Sequence, residues 1–342
     1  MTVEEKTHAE LLAEISRLEQ ELEFVKQEKL DLEILLDTTT EHSTEIEKEL
    51  QEKNEEVESL LKALRRELEV GRQIQSDFLP DNLPSVAKWE MAARFQPARE
   101  VAGDFYDAFS LPGDRLGIVI ADVCDKGVGA ALFMALTRSL LRALALQAYS
   151  RLQFIGTNAE NYLIEVNTGQ KTSPKLVLPA YTYEILNTVG LVNDYINANH
   201  SRSDMFATLF FGVIDTKNNT ISYVNAGHDL PMIIGNEGVK ERLLTCGPAV
   251  GMLPNIKYKM NQAQIEPGDI ILAYTDGIPE ARDPEGNLYS QPKLIELITR
   301  LTAEGVSTLN GFVDNILLEV KNHVATAEPS DDVTMIAARY LG

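Results

Sequence analysis

Leu116 to Leu132 reads LGIVIADVCDKGVGAAL. An apolar run of buried-strand character ends in a turn carrying Asp122, Asp125, Gly127 and Gly129, and a helical pattern follows. Such a turn can cradle a phosphate or hold a metal. A dinucleotide-binding turn would use Gly127 and Gly129, with Ala130 or Ala131 in the small-residue slot, to open the helix onto a pyrophosphate. Here two carboxylates precede the glycines and would repel phosphate. No acid lies between Asp125 and Glu160 to hold a ribose, and the phosphate-loop pattern GxxxxGK[ST] is absent. The turn therefore suits a phosphate only if cations neutralise its carboxylates.

Working outward, β-rich runs surround this stretch: WEMAARF, DFYDAFSL, RLGIVIADV, MFATLFFGVID, TISYVNA, PMIIG, DIILAYTD and DVTMIAARY. Helical patterns lie at about 128–148, 180–199, 291–302 and 308–325. Tight turn signals such as DTKNNT join several of the runs, which favours antiparallel pairing over repeated crossover units. The predicted class is α+β. Residues 156–180 show little periodicity and are expected to form an inserted loop or flap.

The first 80 residues have a different texture. From Leu11 to Leu64 a seam recurs in steps of four and three, and twelve of its sixteen positions are apolar, Lys29, Thr39, Ser43 and Lys53 being the others. The pattern predicts a long coiled-coil helix that self-associates as a homodimer. Pro80 and Pro84 break it, so residues 1–79 are expected to be a coil and linker and 80–342 the globular domain.

Bulk composition narrows the partners. The 342 residues carry 52 acidic and 31 basic side chains, a net charge of −21, which disfavours nucleic acid and anionic membranes. Residues 1–80 hold 22 acids and 10 bases, so −12 of that charge sits on the coil. The start, MTVEEKTHAE, lacks signal-peptide blocks, and no run is read as a membrane helix, so a cytoplasmic location is expected. Cys124 and Cys246, the only cysteines, lack zinc or disulfide spacing.

The acids of the globular part fall at strand ends. Asp104 and Asp107 open one strand in EVAGDFYDAF, Asp122 ends the stretch quoted first, Asp276 follows another in DIILAYTDGIPEA, and Asp331 and Asp332 begin the last in EPSDDVTMIAA. Each alone reads as an ordinary turn residue or cap. Together they predict a cluster of carboxylates that could not all ionise without cations. Oxygen ligands without His or Cys select Mg²⁺ or Mn²⁺. Two such ions can clamp a phosphate ester and activate water for its hydrolysis.

VAGDFYD, ADVCDKGVGAAL, MFATLFFGVID, VNAGHDLPMII, GPAVGML, LAYTDGIPEARD and SDDVTMIA, in this order, resemble the motifs of the metal-dependent protein phosphatases (PPM family), in the bacterial SpoIIE/RsbU-like branch, over about residues 70–342. The resemblance implies a two-sheet antiparallel β-sandwich flanked by helices. It also implies two Mn²⁺ or Mg²⁺ ions and hydrolysis of phosphoserine or phosphothreonine on a protein, in this branch a phosphorylated anti-sigma-factor antagonist of STAS fold. Carried over by motif, Asp122 would bridge both metals, with the Val123 carbonyl as a further ligand. Asp104 would serve the second metal, and Asp276 and Asp331 would complete the first, with Asp122 and Asp276 central to catalysis. Gly103, Asp107 and Asp332 stand behind these as ligands or supports, and Gly277 would let the chain pass beneath the ions.

Two departures from the family pattern stand out. Cys124 follows Val123 where eukaryotic relatives carry a His that could act as general acid. His228 could substitute, although a lone His after Gly is more often a structural hydrogen-bonder. Asp125 replaces a common Gly and is expected to cap the next helix, or to hold a further metal. Arg99 and Lys126, the cations nearest the acidic turns, would touch substrate phosphate or form surface ion pairs. RRELEVGRQIQSDFLP resembles the family's linker, through which the coil would relay an upstream regulator's signal. Two other readings remain at this point: a catalytically silent phosphatase-like scaffold, and another two-metal phosphoryl enzyme such as a nucleotide cyclase.

Overall fold

The computed structural model describes residues 8–154, 162–165, 175–200 and 204–342. Helix α1, His8–Phe78, is unbroken over 71 residues, about 105 Å at 1.5 Å per residue. It contains no Pro, and its only Gly, Gly71, lies near its end. Its seam residues, from Leu11 and Ile15 to Leu60 and Leu64, are about half-exposed or more. A single helix with an apolar seam this long draws little stability from itself, since helical stability comes mainly from packing an apolar face. The chain divides into two compact units, Met1–Glu67 and Leu68–Gly342, so the last turns of α1 belong to the second.

Within the second unit the elements run β1 (Trp89–Gln96), β2 (Phe105–Leu111), β3 (Arg115–Val123), α2 (Val128–Phe154), β4 (Tyr162–Glu165), β5 (Lys175–Leu178), α3 (Ala180–Asn199), β6 (Ala207–Asp215) and β7 (Thr220–Ala226). There follow β8 (Met232–Gly235), β9 (Gly238–Arg242), β10 (Asn261–Gln264), β11 (Ile270–Tyr274), α4 (Gln291–Glu304), α5 (Leu309–Val324) and β12 (Val333–Tyr340). One sheet has the order β1-β12-β11-β8-β9 and the other β10-β7-β6-β3-β2, all neighbours being antiparallel. This is the expected α+β class and two-sheet sandwich with flanking helices.

The strands are apolar on both faces because both faces are covered. Along β11, Ile271 and Ala273 join the core shared with the second sheet, while Ile270, Leu272 and Tyr274 pack under α4 and α5. Along β12, Ile336 and Ala338 face inward, and Met335 and Ala337 face those helices. This period of two follows from the pleat. Helices α2 and α3 cover the other sheet, contributing Phe133, Met134, Leu186 and Val189 to its core.

Three features depart from the sequence reading. The short strands β9 and β10 carry few apolar residues and owe their state to pairing with β8 and β7. Within the expected insertion, β4 and β5 pair antiparallel and α3 begins at Ala180, while residues 156–161 and 166–174 lie outside the described residues. Val128–Ala148 in α2 is, among the described residues, the one helix long and apolar enough to cross a membrane, contrary to the expectation that no run approaches that length. Its apolarity has a packing reason, since Ala130, Met134, Leu141 and Ala145 are buried in the core.

Candidate active site

In an antiparallel pair, the start of one strand lies beside the end of its neighbour. Asp104 precedes β2, and Asp122 lies near the end of β3, where Phe105 pairs with Ala121. Asp276 follows β11, and Asp331 and Asp332 precede β12, where Tyr274 pairs with Met335. Pairing therefore brings each sheet's acids together at one strand end. A bond between the sheets joins the two groups: Thr275 Oγ1 donates to Asp104 Oδ2 at 2.7 Å.

The acids share one electrostatic field. Burial, and then Asp122 and Asp332, push the Asp104 carboxyl well above the usual range. Burial and the Asp276 charge push Asp122 up to about 7. Burial and the Asp331 charge push Asp276 up to about 6. Each shift marks a carboxylate whose ionised form is opposed by burial and by its acidic neighbours, which at Asp276 outweigh the charge of Lys126.

Asp332 and Asp331 are engaged by backbone amides and by a lysine. Asp332 accepts the Ala98 and Gly103 N–H groups at 2.8 and 2.9 Å, which organises the loop leading to Asp104. Asp331 Oδ2 accepts from Lys126 Nζ at 2.7 Å, and the same ammonium donates to the Ser330 carbonyl at 2.6 Å. Accordingly, among the described residues no three acid, His or Cys side chains form a ready-made ligand cage. The donor set nonetheless suits hard divalent cations: carboxylate oxygens at four strand ends, under mutual repulsion, with a backbone carbonyl beside them.

Two glycines allow the backbone to close on this region. A Cβ on Gly277 would lie 1.8 Å from the Asp332 carbonyl oxygen, which forbids any side chain. A Cβ on Gly103 would press on the Val123 carbonyl oxygen at 3.0 Å. Gly103 thus lets the Asp104 loop lie against the carbonyl singled out as a ligand candidate.

The remaining candidates are placed elsewhere. Asp107 is 1 % exposed and pairs with Arg138 and Arg142 of α2 at 3.2 and 2.9 Å, fastening that helix to β2. Asp125 is exposed, has φ of 73°, and its carboxylate accepts the Lys126 N–H at 2.8 Å. Its role is thus to hold a left-handed turn position, which Gly or Asp tolerates, and not the helix cap expected. Arg99 is exposed in the loop before Val101.

His228 is 3 % exposed, and burial pushes its imidazole down to about 4, so the ring is neutral near pH 7. Its Nδ1 lies 2.9 Å from Thr208 Oγ1, whose hydroxyl reaches the Asp122 carbonyl at 3.5 Å. The ring supports β6 and the end of β3 and is not a solvent-facing proton donor. Cys124 Sγ accepts the Phe206 N–H at 3.1 Å, and burial raises its thiol above the ordinary value.

Sequence reasoning missed two polar groups. Thr275 ties Asp104 to the opposite sheet, and its only sequence signal is its place before Asp276. Gln75, near the end of α1, is buried: its Nε2 donates to the Ala102 carbonyl at 2.7 Å and its Oε1 accepts the Ala102 N–H at 2.9 Å. A Gln on an otherwise polar helix face carries no signal that distinguishes it.

Comparison with known proteins agrees with this architecture. The family model described as Stage II sporulation protein E (SpoIIE) matches residues 112–341. Protein IcfG of Synechocystis sp. is 45% identical over 273 residues, covering 80% of this chain and 41% of that protein. Phosphoserine phosphatase RsbU of Bacillus subtilis is 24% identical over 277 residues, covering 81% of this chain and 70% of RsbU. The chain thus spans less than half the length of IcfG. Among solved structures, the SiaA-PP2C domain of Pseudomonas aeruginosa superposes with a TM-score of 0.59 at 17% identity, covering 82% of this chain and 98% of that one, a likeness of fold.

Proposed function

The chain belongs to the SpoIIE family, and on that premise we propose that it is a metal-dependent protein serine/threonine phosphatase acting on a phosphorylated STAS-like protein. The observation that carries this reading is the arrival of acids from four separate strand ends in one electrostatic field. A binding-only scaffold gains nothing from that repulsion, and base recognition of the kind a cyclase needs has no counterpart in the motifs.

Asp122 and Asp104 from one sheet, and Asp276 and Asp331 from the other, would hold two Mn²⁺ or Mg²⁺ ions, with the Val123 carbonyl as a further donor. When bound, such ions neutralise the acids, polarise the phosphoryl oxygens and lower the pKa of water. The chain's own residues do the positioning. Thr275 fixes Asp104 through its hydroxyl. Asp332 shapes the preceding loop through the Ala98 and Gly103 amides. Lys126 holds Asp331 and brings a positive charge to the rim where a phosphate dianion would arrive.

The seam of α1 assembles the protein as a homodimer. The Gln75 clamp is the contact through which an upstream regulator acting on the coil reaches the loop before Asp104. The test compares wild type with Asp276→Asn on p-nitrophenyl phosphate and on a phosphoserine protein, in EDTA and with added Mn²⁺. Mn²⁺-dependent turnover that the variant loses is expected. Folded protein without turnover under any metal would leave the silent scaffold as the better account.

A further inference from the structure

Beside the acids, on the outer side of the sheet that carries β11 and β12, lies a cavity of about 320 Å³. Its lining is mainly apolar, with Leu317, Val320 and Val324 of α5, Ala281 and Val333, and Gln96 and Lys321 add polar groups to it. Gly277, Ser330 and Asp331 form its near wall. Gly277 directly follows Asp276 in the chain. The Ser330 carbonyl and the Asp331 carboxylate both accept from Lys126 Nζ, at 2.6 and 2.7 Å. The cavity and the acid cluster are therefore adjoining compartments with one wall in common.

The connection from α5 to β12, which carries Ser330 and Asp331, also borders the space with small residues. Ala325 and Ala327 line the space, and Ala325 holds φ of 49° and ψ of −108°, a backbone region that residues with a Cβ rarely occupy. At this volume the cavity lies at the lower end of ligand pockets, room for one large side chain and not for a cofactor. Phosphoester chemistry at the acids has no use for an apolar recess. A polypeptide has one, because consecutive residues advance by about 3.3–3.6 Å when extended. A phosphoserine seated at the acids would place a flanking side chain over the common wall.

We propose that this cavity is a specificity pocket that takes one large apolar side chain, Leu, Met or Phe, from a residue flanking the phosphoserine of the protein substrate. The proposal rests on reading the adjoining acids as a phosphatase centre. Filling an apolar pocket discriminates between side chains by roughly 10-fold or more in kcat/KM.

The test uses the full-length protein with Mn²⁺ and synthetic phosphoserine peptides that differ only in carrying Ala, Leu, Phe or Glu beside the phosphoserine. Wild type should favour Leu or Phe over Ala by about 10-fold in kcat/KM. Ala327→Leu should erase that preference while p-nitrophenyl phosphate is hydrolysed at the wild-type rate. Equal turnover of all the peptides by wild type, or a preference that survives Ala327→Leu, overturns the pocket and leaves the phosphatase reading standing. Should Ala327→Leu also slow p-nitrophenyl phosphate hydrolysis, Leu317→Ala decides instead: by enlarging the same cavity it should shift the preference from Leu toward Phe, and an unchanged preference overturns the proposal. Absence of Mn²⁺-dependent p-nitrophenyl phosphate hydrolysis in wild type overturns the phosphatase reading itself, and the pocket with it.

Discussion

At Gly277 the constraint is one of space, since a side chain there would collide with the Asp332 carbonyl oxygen. Relief requires the entry to β12 to move, and Asp331 and Asp332 with it. Gly277→Ala is therefore expected to cost about 1–3 kcal/mol of stability and to lower Mn²⁺-dependent turnover by about 100-fold, since misplacement of about 1 Å already costs that much. Thermal melting and a Mn²⁺ titration of activity check both, and turnover within a few-fold of wild type would show that the loop is not held by this contact. At His228 the constraint is charge. Its folded value of about 4 lies below the ordinary 6.5, so the unfolded chain binds the proton more readily in that window. Its contribution to stability is intact above about pH 6.5 and is lost as pH falls toward 4, by roughly 3 kcal/mol in all. His228→Gln, which cannot titrate, should lie below wild type in melting temperature at pH 7.5 and close that gap by pH 5. A gap that stays constant with pH would sink the idea. That His228 is structural could be suspected from its sequence context, whereas its burial depends on Thr208 and Asn225, whose strands the sequence does not place around it.

Among the elements, α1 was the most legible, because an apolar seam of fixed period depends only on local spacing. The strands that enter the core were legible for the same reason: their side chains are apolar wherever a sheet face is covered. Strands β9 and β10 were not, since both are short, polar edge strands whose state comes from pairing with β8 and β7. The end of α1 was half legible, its stop being marked by proline and its anchorage at Gln75 being unmarked. Gln75→Ala would leave both polar groups of buried Ala102 unpaired, at a cost of about 1–3 kcal/mol. It should lower phosphatase turnover by about 10-fold through a loosened Asp104 loop, with Mn²⁺ affinity falling in parallel in calorimetry. A variant with wild-type turnover and Mn²⁺ affinity would remove the clamp from the proposed relay. For the seam, Leu22→Glu combined with Leu50→Glu should convert a dimer into a monomer by light scattering, since both residues are more than half exposed on the isolated helix. A wild-type chain that is already monomeric would contradict the coil's proposed role.

For the whole molecule, charge is the governing quantity. The acids behind the net charge of −21 include those along α1, which stay in water, and strand-end acids that burial forces together. Divalent cations that bind only the folded state stabilise it by mass action, by about 2.7 kcal/mol at a hundredfold excess over Kd. Saturating Mn²⁺ should thus raise the melting temperature of EDTA-treated protein by about 5 °C or more. Asp276→Asn should melt higher than wild type in EDTA, having lost a repelling charge, yet gain less from Mn²⁺. Identical shifts in the two proteins would place the cations elsewhere. From the sequence alone came the long N-terminal helix, the α+β class and the acids at strand ends, because periodicity and turn chemistry are local properties of the chain. Tertiary structure decided which partner each acid finds. Asp107 turns to two arginines, Asp332 to two amides, Asp331 to Lys126 and Asp104 to the Thr275 hydroxyl, while the Asp104 and Asp122 charges repel each other. Those choices depend on partners up to 234 residues away, which sheet pairing and packing bring into contact and which no local pattern encodes.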